Sequence, residues 1–329
     1  MSTILILKKG YNLALKEWEV LAKKHNLQLV QVEATSQREF IDNYLKKYNV
    51  VGIANTVPGT RNFGGYNDEV YANLTNVKVI AHHGAGYDVL DANRLHKLGI
   101  QVANTPDAVA TATADTGIYL TIAALRDFHQ LGVKLRENKW IGGVPLADEA
   151  DNKTLGILGL GGIGALYRDK AKALFDFDKI QYYNRHRASP AIEKDSEYVD
   201  FDTLIATSDV IYVSVPLNES THHLINKKVL SNCKDGVYII NTARGPVIDE
   251  EALVEALNSG KVKSVGLDVY EHEPKVHPGL TAHHSAVLLP HSGTHTIPAR
   301  RKMERQVIKN LESYFSSGRV DNLVPECRL

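Results

Sequence analysis

The chain has 329 residues, 43% of them hydrophobic, which is enough to build two cores of ordinary domain size. Lysine plus arginine and aspartate plus glutamate each number 38, so the formal net charge of zero leaves no electrostatic footprint for nucleic acid or an anionic membrane surface. Only two cysteines occur, Cys233 and Cys327, in a context that fits neither a disulfide framework nor a metal knuckle, so no metal is expected and a reducing, cytoplasmic compartment is.

The opening MSTILILKKG has too short an apolar run and no cleavage pattern for a signal peptide, and reads as a first strand. No apolar run approaches the roughly 18 residues that a membrane-spanning helix needs. TILIL (3–7), LQLVQV (27–32), VVGIA (50–54) and VKVIA (77–81) alternate with helical patterns, as βαβ units of a parallel sheet do. The proline-free, alanine-rich stretch 107–138 reads as one or two long helices forming a spine between domains. A second series follows, TLGIL (154–158), KIQYY (179–183), DVIYVSV (209–215), GVYII (236–240) and KSVGL (263–267), spaced for a doubly wound sheet. The stretch 299–315 has Met303, Val307, Leu311 and Phe315 four apart and predicts an amphipathic helix that returns to the first domain. The final tripeptide Cys327-Arg328-Leu329 is similar to a permissive peroxisomal address, a second possibility for localisation.

TLGILGLGGIG sets Gly159, Gly161 and Gly164 in GxGxxG order after a strand and at the start of a helix. Gly159 permits the tight turn, Gly161 admits a pyrophosphate close to the backbone, and Gly164 lets the helix pack on the strand. The helix N-terminus, which includes Gly162 and Ile163, offers N–H groups to the phosphates. At the end of the next strand, Asn184 stands where an NAD enzyme usually carries an acid about 20 positions on. A carboxylate there repels a 2′-phosphate, whereas neutral Asn184 with Arg185 and Arg187 attracts one, so NADP(H) is favoured and NAD(H) remains possible. Three further strand ends, VPLN (215–218), TARG (242–245) and LDVYEHEP (267–274), fall at the ligand edge of such a sheet, with Val215 and Pro216 placed to line an adenine pocket.

Reduction of a 2-keto acid needs a cation for the carboxylate and carbonyl, and a proton donor for the alkoxide. Arg244, between a strand and a Gly245-Pro246 turn with Asp249 available to cap the next helix, suits the first task. His291, after an apolar strand and a proline in VLLPHSGTH, suits the second, and Glu273 in EHEP can orient its ring and favour the imidazolium.

The ordered motifs GLGGIG, VPLN, NTARGPVID, GLDVYEHEP and LLPHSG resemble the D-2-hydroxyacid dehydrogenase family over nearly the whole chain, and within it the glyoxylate and hydroxypyruvate reductases that prefer NADPH. The resemblance implies two Rossmann-like doubly wound α/β domains. Residues 1–104 with 295–329 would form the substrate domain, and 105–294 an inserted dinucleotide-binding domain. It further implies that Arg244 binds substrate, His291 donates the proton, Glu273 holds the imidazole, and Asp268 contacts the nicotinamide carboxamide. In AHHGAGYDVLD, the N–H groups of Ala85 and Gly86 would grip the carboxylate. Thr113, Thr221, Thr242, Ala243 and Gly293 would complete the cofactor site, and Trp140 falls on a dimer-spanning arm, so a homodimer is expected. Family members often read HxGSAT where this chain has His291-Ser292-Gly293-Thr294-His295-Thr296, which leaves the keto acid open.

Two readings of the same architecture compete. A formate dehydrogenase pairs its histidine with glutamine, which Glu273 opposes, and a dinucleotide-binding corepressor retains the same trio. A metal-dependent hydrolase built on His82-His83, His222-His223 and His283-His284 is disfavoured, because adjacent histidines point apart on a helix or strand.

Overall fold

The computed structural model describes residues 1–7 and 11–328, which divide into two compact units. One is Met1–Val109 with His295–Leu329, and the other is Ala110–Thr294. The first crossing lies inside the helix Pro106–Arg126, a few residues beyond the 104/105 boundary that the resemblance implies.

In the first unit, β1 (Ser2–Leu7), β2 (Leu27–Val32), β3 (Asn49–Asn55), β4 (Val79–His82) and β5 (Gln101–Ala103) form a parallel sheet in the order β2-β1-β3-β4-β5. Strand alternation sends Leu5 and Leu7 into one core with Phe40 and Phe63, and Ile4 and Ile6 into another with Trp18 and Leu311. Each such fully buried side chain contributes roughly 1.5–3 kcal/mol. The helix Ile297–Ser317 belongs to this second core through Val307, Ile308 and Leu311. Its buried Glu304 accepts hydrogen bonds from the Leu13 N–H at 2.8 Å and the Trp18 indole at 2.9 Å, which fixes how the chain's last helix returns.

The second unit holds β6 (Thr154–Leu158), β7 (Lys179–Tyr183), β8 (Glu197–Tyr198), β9 (Val210–Val213), β10 (Val237–Asn241), β11 (Val262–Leu267) and β12 (Ala286–Leu288). All pair in parallel, in the order β12-β11-β10-β9-β6-β7-β8, the doubly wound dinucleotide-binding order, which reverses between β6 and β9. The 107–138 stretch forms two helices, Pro106–Arg126 and Phe128–Arg136, interrupted where Asp127 takes a left-handed backbone with φ of 51°. Pro106–Arg126 is long and apolar enough to cross a bilayer by length and composition alone, but its Ala114, Leu120, Ala123 and Leu125 are packed in the core beside β6 and β9.

At the other extreme, Phe128–Arg136 has no buried residue, and Trp140 is 77% and Leu146 97% exposed. Of the C-terminal tripeptide, Cys327 is buried in the first unit and Leu329 lies outside the described residues.

Candidate active site

The glycine turn sits after β6, where the strand order reverses. Gly159 has φ of +104°, and a Cβ there would lie 2.8 Å from the Ser214 carbonyl, so both conformation and space demand glycine. A Cβ on Gly164 would overlap the Gly159 carbonyl oxygen, which shows how closely the helix Gly162–Leu174 rests on the turn. At Gly161 and Gly162 a Cβ would meet nothing within 4 Å, and Ile163 follows in the helix's first turn. Open space over two glycines at a helix N-terminus is a cradle for a pyrophosphate. The residues present therefore fit a dinucleotide.

Asn184 turns its side chain back to this loop, accepting the Leu160 N–H at 2.7 Å. Arg187 is engaged by Glu193 through two bonds of 2.8 and 2.6 Å, and its guanidinium holds that carboxyl down to about 2. Arg185 makes no hydrogen bond or ion pair among the described residues. Of the two arginines assigned to the 2′-phosphate, Arg185 is thus the available one, and Arg187 already has an anion. Beyond β9, Val215 and Pro216 lead into a turn that Thr221 closes by donating to the Pro216 carbonyl at 2.7 Å.

Arg244 is placed by its neighbours. Asn241, at the end of β10, accepts the Ala243 N–H at 2.9 Å and donates to the Arg244 carbonyl at 2.9 Å, a side-chain-built turn. Thr242 within it is buried and bonds the Tyr212 hydroxyl at 2.6 Å. The Arg244 guanidinium donates to the Ala243 carbonyl at 2.8 Å. A Cβ on Gly245 would collide with the Tyr270 carbonyl, so glycine alone lets this turn lie against the segment that carries Glu273. Asp249 caps the helix Glu250–Asn258 through Ala252 N–H.

His291 has φ of 52°, held there by its N–H donating to the Asp268 carbonyl at 2.7 Å. Its Nδ1 lies 2.9 and 3.0 Å from the two Glu273 carboxylate oxygens. A carboxylate only accepts, so Nδ1 carries hydrogen and Nε2 is the nitrogen presented outward. Glu273 is mostly buried, its side chain 13% exposed, while that of His291 is 41% exposed, the arrangement of a fixed orienter and an accessible acid. Asp268, buried after β11, accepts the Ser292 and Gly293 N–H groups at 2.7 and 2.8 Å; burial pushes its carboxyl above the ordinary value. A Cβ on Gly293 would crowd Asp268 at 2.9 Å, with Thr113 next nearest at 3.6 Å, which brings those three residues together.

In the first unit, the loop after β4 is clamped from behind. Gly84 exchanges two bonds with Thr105, its N–H to Oγ1 and its carbonyl from N–H, both at 2.9 Å, and Asn104 donates to the Ala85 carbonyl at 2.7 Å. Below it, Asn55 Oδ1 accepts the Thr60 and Tyr66 hydroxyls, so its amide nitrogen faces His82 Nδ1 at 2.8 Å and the His82 proton resides on Nε2. The Ala85 and Gly86 N–H groups have no acceptor among the described residues.

Sequence reasoning missed Asn241, Glu193 and the Asn55–His82 pair. Only Asn241 had a local signal, an Asx turn two residues long. The expectation that adjacent histidines point apart is also corrected. His222 and His223 occupy a turn, where their rings stack at 4.1 Å, and with Glu271 their ligand atoms fall within 4.8 Å of one another. His223 already meets Glu271 at 2.7 Å, a self-sufficient pair.

A glycine cradle and an Arg-Glu-His group on one doubly wound unit define a dinucleotide-dependent oxidoreductase. Residues 118–293 match the family described as D-isomer specific 2-hydroxyacid dehydrogenase, NAD binding domain. The chain is 45% identical over 316 residues, 95% of each chain, to 4-methyl-2-oxopentanoate reductase A of Aspergillus oryzae. It superposes on the crystal structure of a glyoxylate reductase from Paecilomyes thermophila with a TM-score of 0.94 and 42% identity, covering 99% of this chain and 98% of that one. An NADPH-dependent glyoxylate/hydroxypyruvate reductase from Sinorhizobium meliloti, solved with NADP and malonate, gives a TM-score of 0.84 at 30% identity, covering 99% and 97%. The chain belongs to the D-2-hydroxyacid dehydrogenase family, is an oxidoreductase acting between 2-keto and 2-hydroxy acids, and uses a nicotinamide dinucleotide.

Proposed function

We propose that this protein is an NADPH-preferring reductase of small 2-keto acids such as glyoxylate and hydroxypyruvate, yielding the D-2-hydroxy acid. The observation that carries the chemistry is the His291–Glu273 pair, whose geometry commits Nδ1 to the carboxylate and leaves Nε2 facing outward, the position from which the imidazolium gives its proton. The bound dinucleotide supplies hydride. Arg244 holds the carboxylate and polarises the carbonyl oxygen, His291 Nε2–H gives that oxygen its proton, and Glu273 keeps the ring in register throughout. The Ala85 and Gly86 N–H groups hold carboxylate oxygen. Asp268 keeps Ser292 and Gly293 in place and so shapes the nicotinamide end; Thr113, Thr221, Thr242 and Ala243 border the dinucleotide.

A second reading of the substrate rests on the 45% identity to a 4-methyl-2-oxopentanoate reductase, which favours a branched aliphatic keto acid. Nicotinamide absorbance, followed with NADPH or NADH and each of glyoxylate, hydroxypyruvate, pyruvate and 4-methyl-2-oxopentanoate, separates the two. Highest kcat/KM on the two small acids supports the first reading; highest on the branched acid assigns the second; no oxidation with any defeats both.

The preference for NADPH rests on Arg185. Arg185→Ala should raise the Kd for NADPH about tenfold with little change for NADH, the loss of one charge-assisted phosphate contact. Equal losses for both cofactors would remove the 2′-phosphate assignment.

We further infer a homodimer of cytoplasmic location, with a peroxisomal one the alternative. Phe128, Trp140, Ile141 and Leu146 expose apolar surface on one stretch, a pattern that marks an association surface. Sedimentation should give two chains per particle, and Leu146→Glu with Trp140→Glu should give one; a wild-type monomer contradicts it.

A further inference from the structure

Arg300 is the least explained cation in the first unit. It lies in the first turn of the helix Ile297–Ser317 and is half-buried. Its side chain makes no hydrogen bond or ion pair among the described residues. Burial alone depresses its guanidinium, with no acidic neighbour to offset it. An arginine withdrawn from water is ordinarily paired. The first turn of a helix is also its electropositive end, where a cation is disfavoured, and this first turn contains no acid. Two unfavourable effects thus coincide on one side chain, and no hydrogen bond or ion pair among the described residues relieves either.

The neighbour of Arg300 is His83, whose ring lies beside the Arg300 backbone. His83 is 5% exposed, and its Nε2 has no hydrogen-bond partner among the described residues. Burial, and then the charge of Arg300, push its imidazole down to about 3, so it is neutral and supplies no counter-charge. The next residues are Gly84, Ala85 and Gly86, the loop whose back is fully bonded while its Ala85 and Gly86 N–H groups lack acceptors. An uncompensated guanidinium thus neighbours a buried orphan ring nitrogen, and the two unmet N–H groups follow that ring two and three residues along the chain. By contrast Arg301, one residue on, is exposed and acts on Glu17.

We propose that Arg300 is an anion-recognising residue of the substrate-binding unit, supplying that unit's own positive charge for the keto acid's carboxylate. This rests on the keto acid reading above. Its part is affinity and not chemistry, because no proton or hydride passes through it.

The test uses Arg300→Met, which keeps the length and removes the charge, with Arg300→Lys and the exposed-site control Arg301→Met. Arg300→Met should raise KM for glyoxylate and 4-methyl-2-oxopentanoate about tenfold with kcat within about threefold, the pattern of lost uniform binding. Arg300→Lys should restore part of the affinity, Arg301→Met should leave KM unchanged, and the Kd for NADPH should not move. The second readout is thermal unfolding with and without oxalate, an unreactive two-carboxylate analogue. Without oxalate, Arg300→Met should melt no lower than wild type, since it removes an unpaired charge. With oxalate, wild type should rise in Tm and the variant should rise much less. An unchanged KM overturns the proposal, as does an equal oxalate shift in both proteins. If wild type reduces no keto acid yet oxalate stabilises it and not Arg300→Met, the anion site stands and the reductase reading falls.

Discussion

Arg244→Ala should reduce kcat/KM for any accepted 2-keto acid by roughly ten-thousandfold, combining a lost charged hydrogen bond to the carboxylate with lost stabilisation of the developing oxyanion. The side chain projects from a turn that Asn241 and Gly245 hold rigidly, so truncation leaves the backbone in place. Cofactor affinity, read by quenching of nicotinamide fluorescence, should change little. Arg244→Lys should recover only part of the loss, because an ammonium cannot present the guanidinium's planar fork. A rate within tenfold of wild type for Arg244→Ala would show that another cation holds the substrate.

His291→Ala should lower kcat roughly a thousandfold while KM changes less, since a general acid acts in the transition state. Added imidazole should return part of the rate by entering the space left by the ring. Glu273→Gln should cost about tenfold, because a neutral amide keeps the 2.9 Å geometry but not the charge-assisted bond to Nδ1. If the two variants together lose no more than His291→Ala alone, Glu273 acts only through the imidazole. Full activity in His291→Ala would transfer the acid role to another group.

Most strands were legible because parallel strands buried on both faces read as continuous apolar runs; Ser2–Leu7, Thr154–Leu158 and Val237–Asn241 lie within a residue of where those runs place them. Gln101–Ala103 and Glu197–Tyr198 were not, being too short to show a period. The break at Asp127 was hidden for another reason, since neither glycine nor proline marks it and only its backbone angle does. At the site, the glycine turn is a local feature and can be read from spacing. The pairing of Arg187 with Glu193 cannot, because the acid arrives on the following helix and its effect is visible only in three dimensions. The stacking of His222 on His223 is not legible in the sequence because adjacent side chains diverge on a helix or strand, whereas the chain makes a turn there. Arg300 has no signal in sequence at all. It is one of 38 basic residues apart from the histidines, and what distinguishes it is burial without a partner.

The most direct test of hydride delivery onto a carbonyl protonated by His291 is to supply NADPH deuterated at the transferable position with glyoxylate or hydroxypyruvate in ordinary water. The product should carry one deuterium on C2, hydroxypyruvate should yield only the D-2-hydroxy acid, and Arg244→Ala should form almost none. A product without deuterium at C2, or a racemic one from hydroxypyruvate, would contradict hydride transfer at this site.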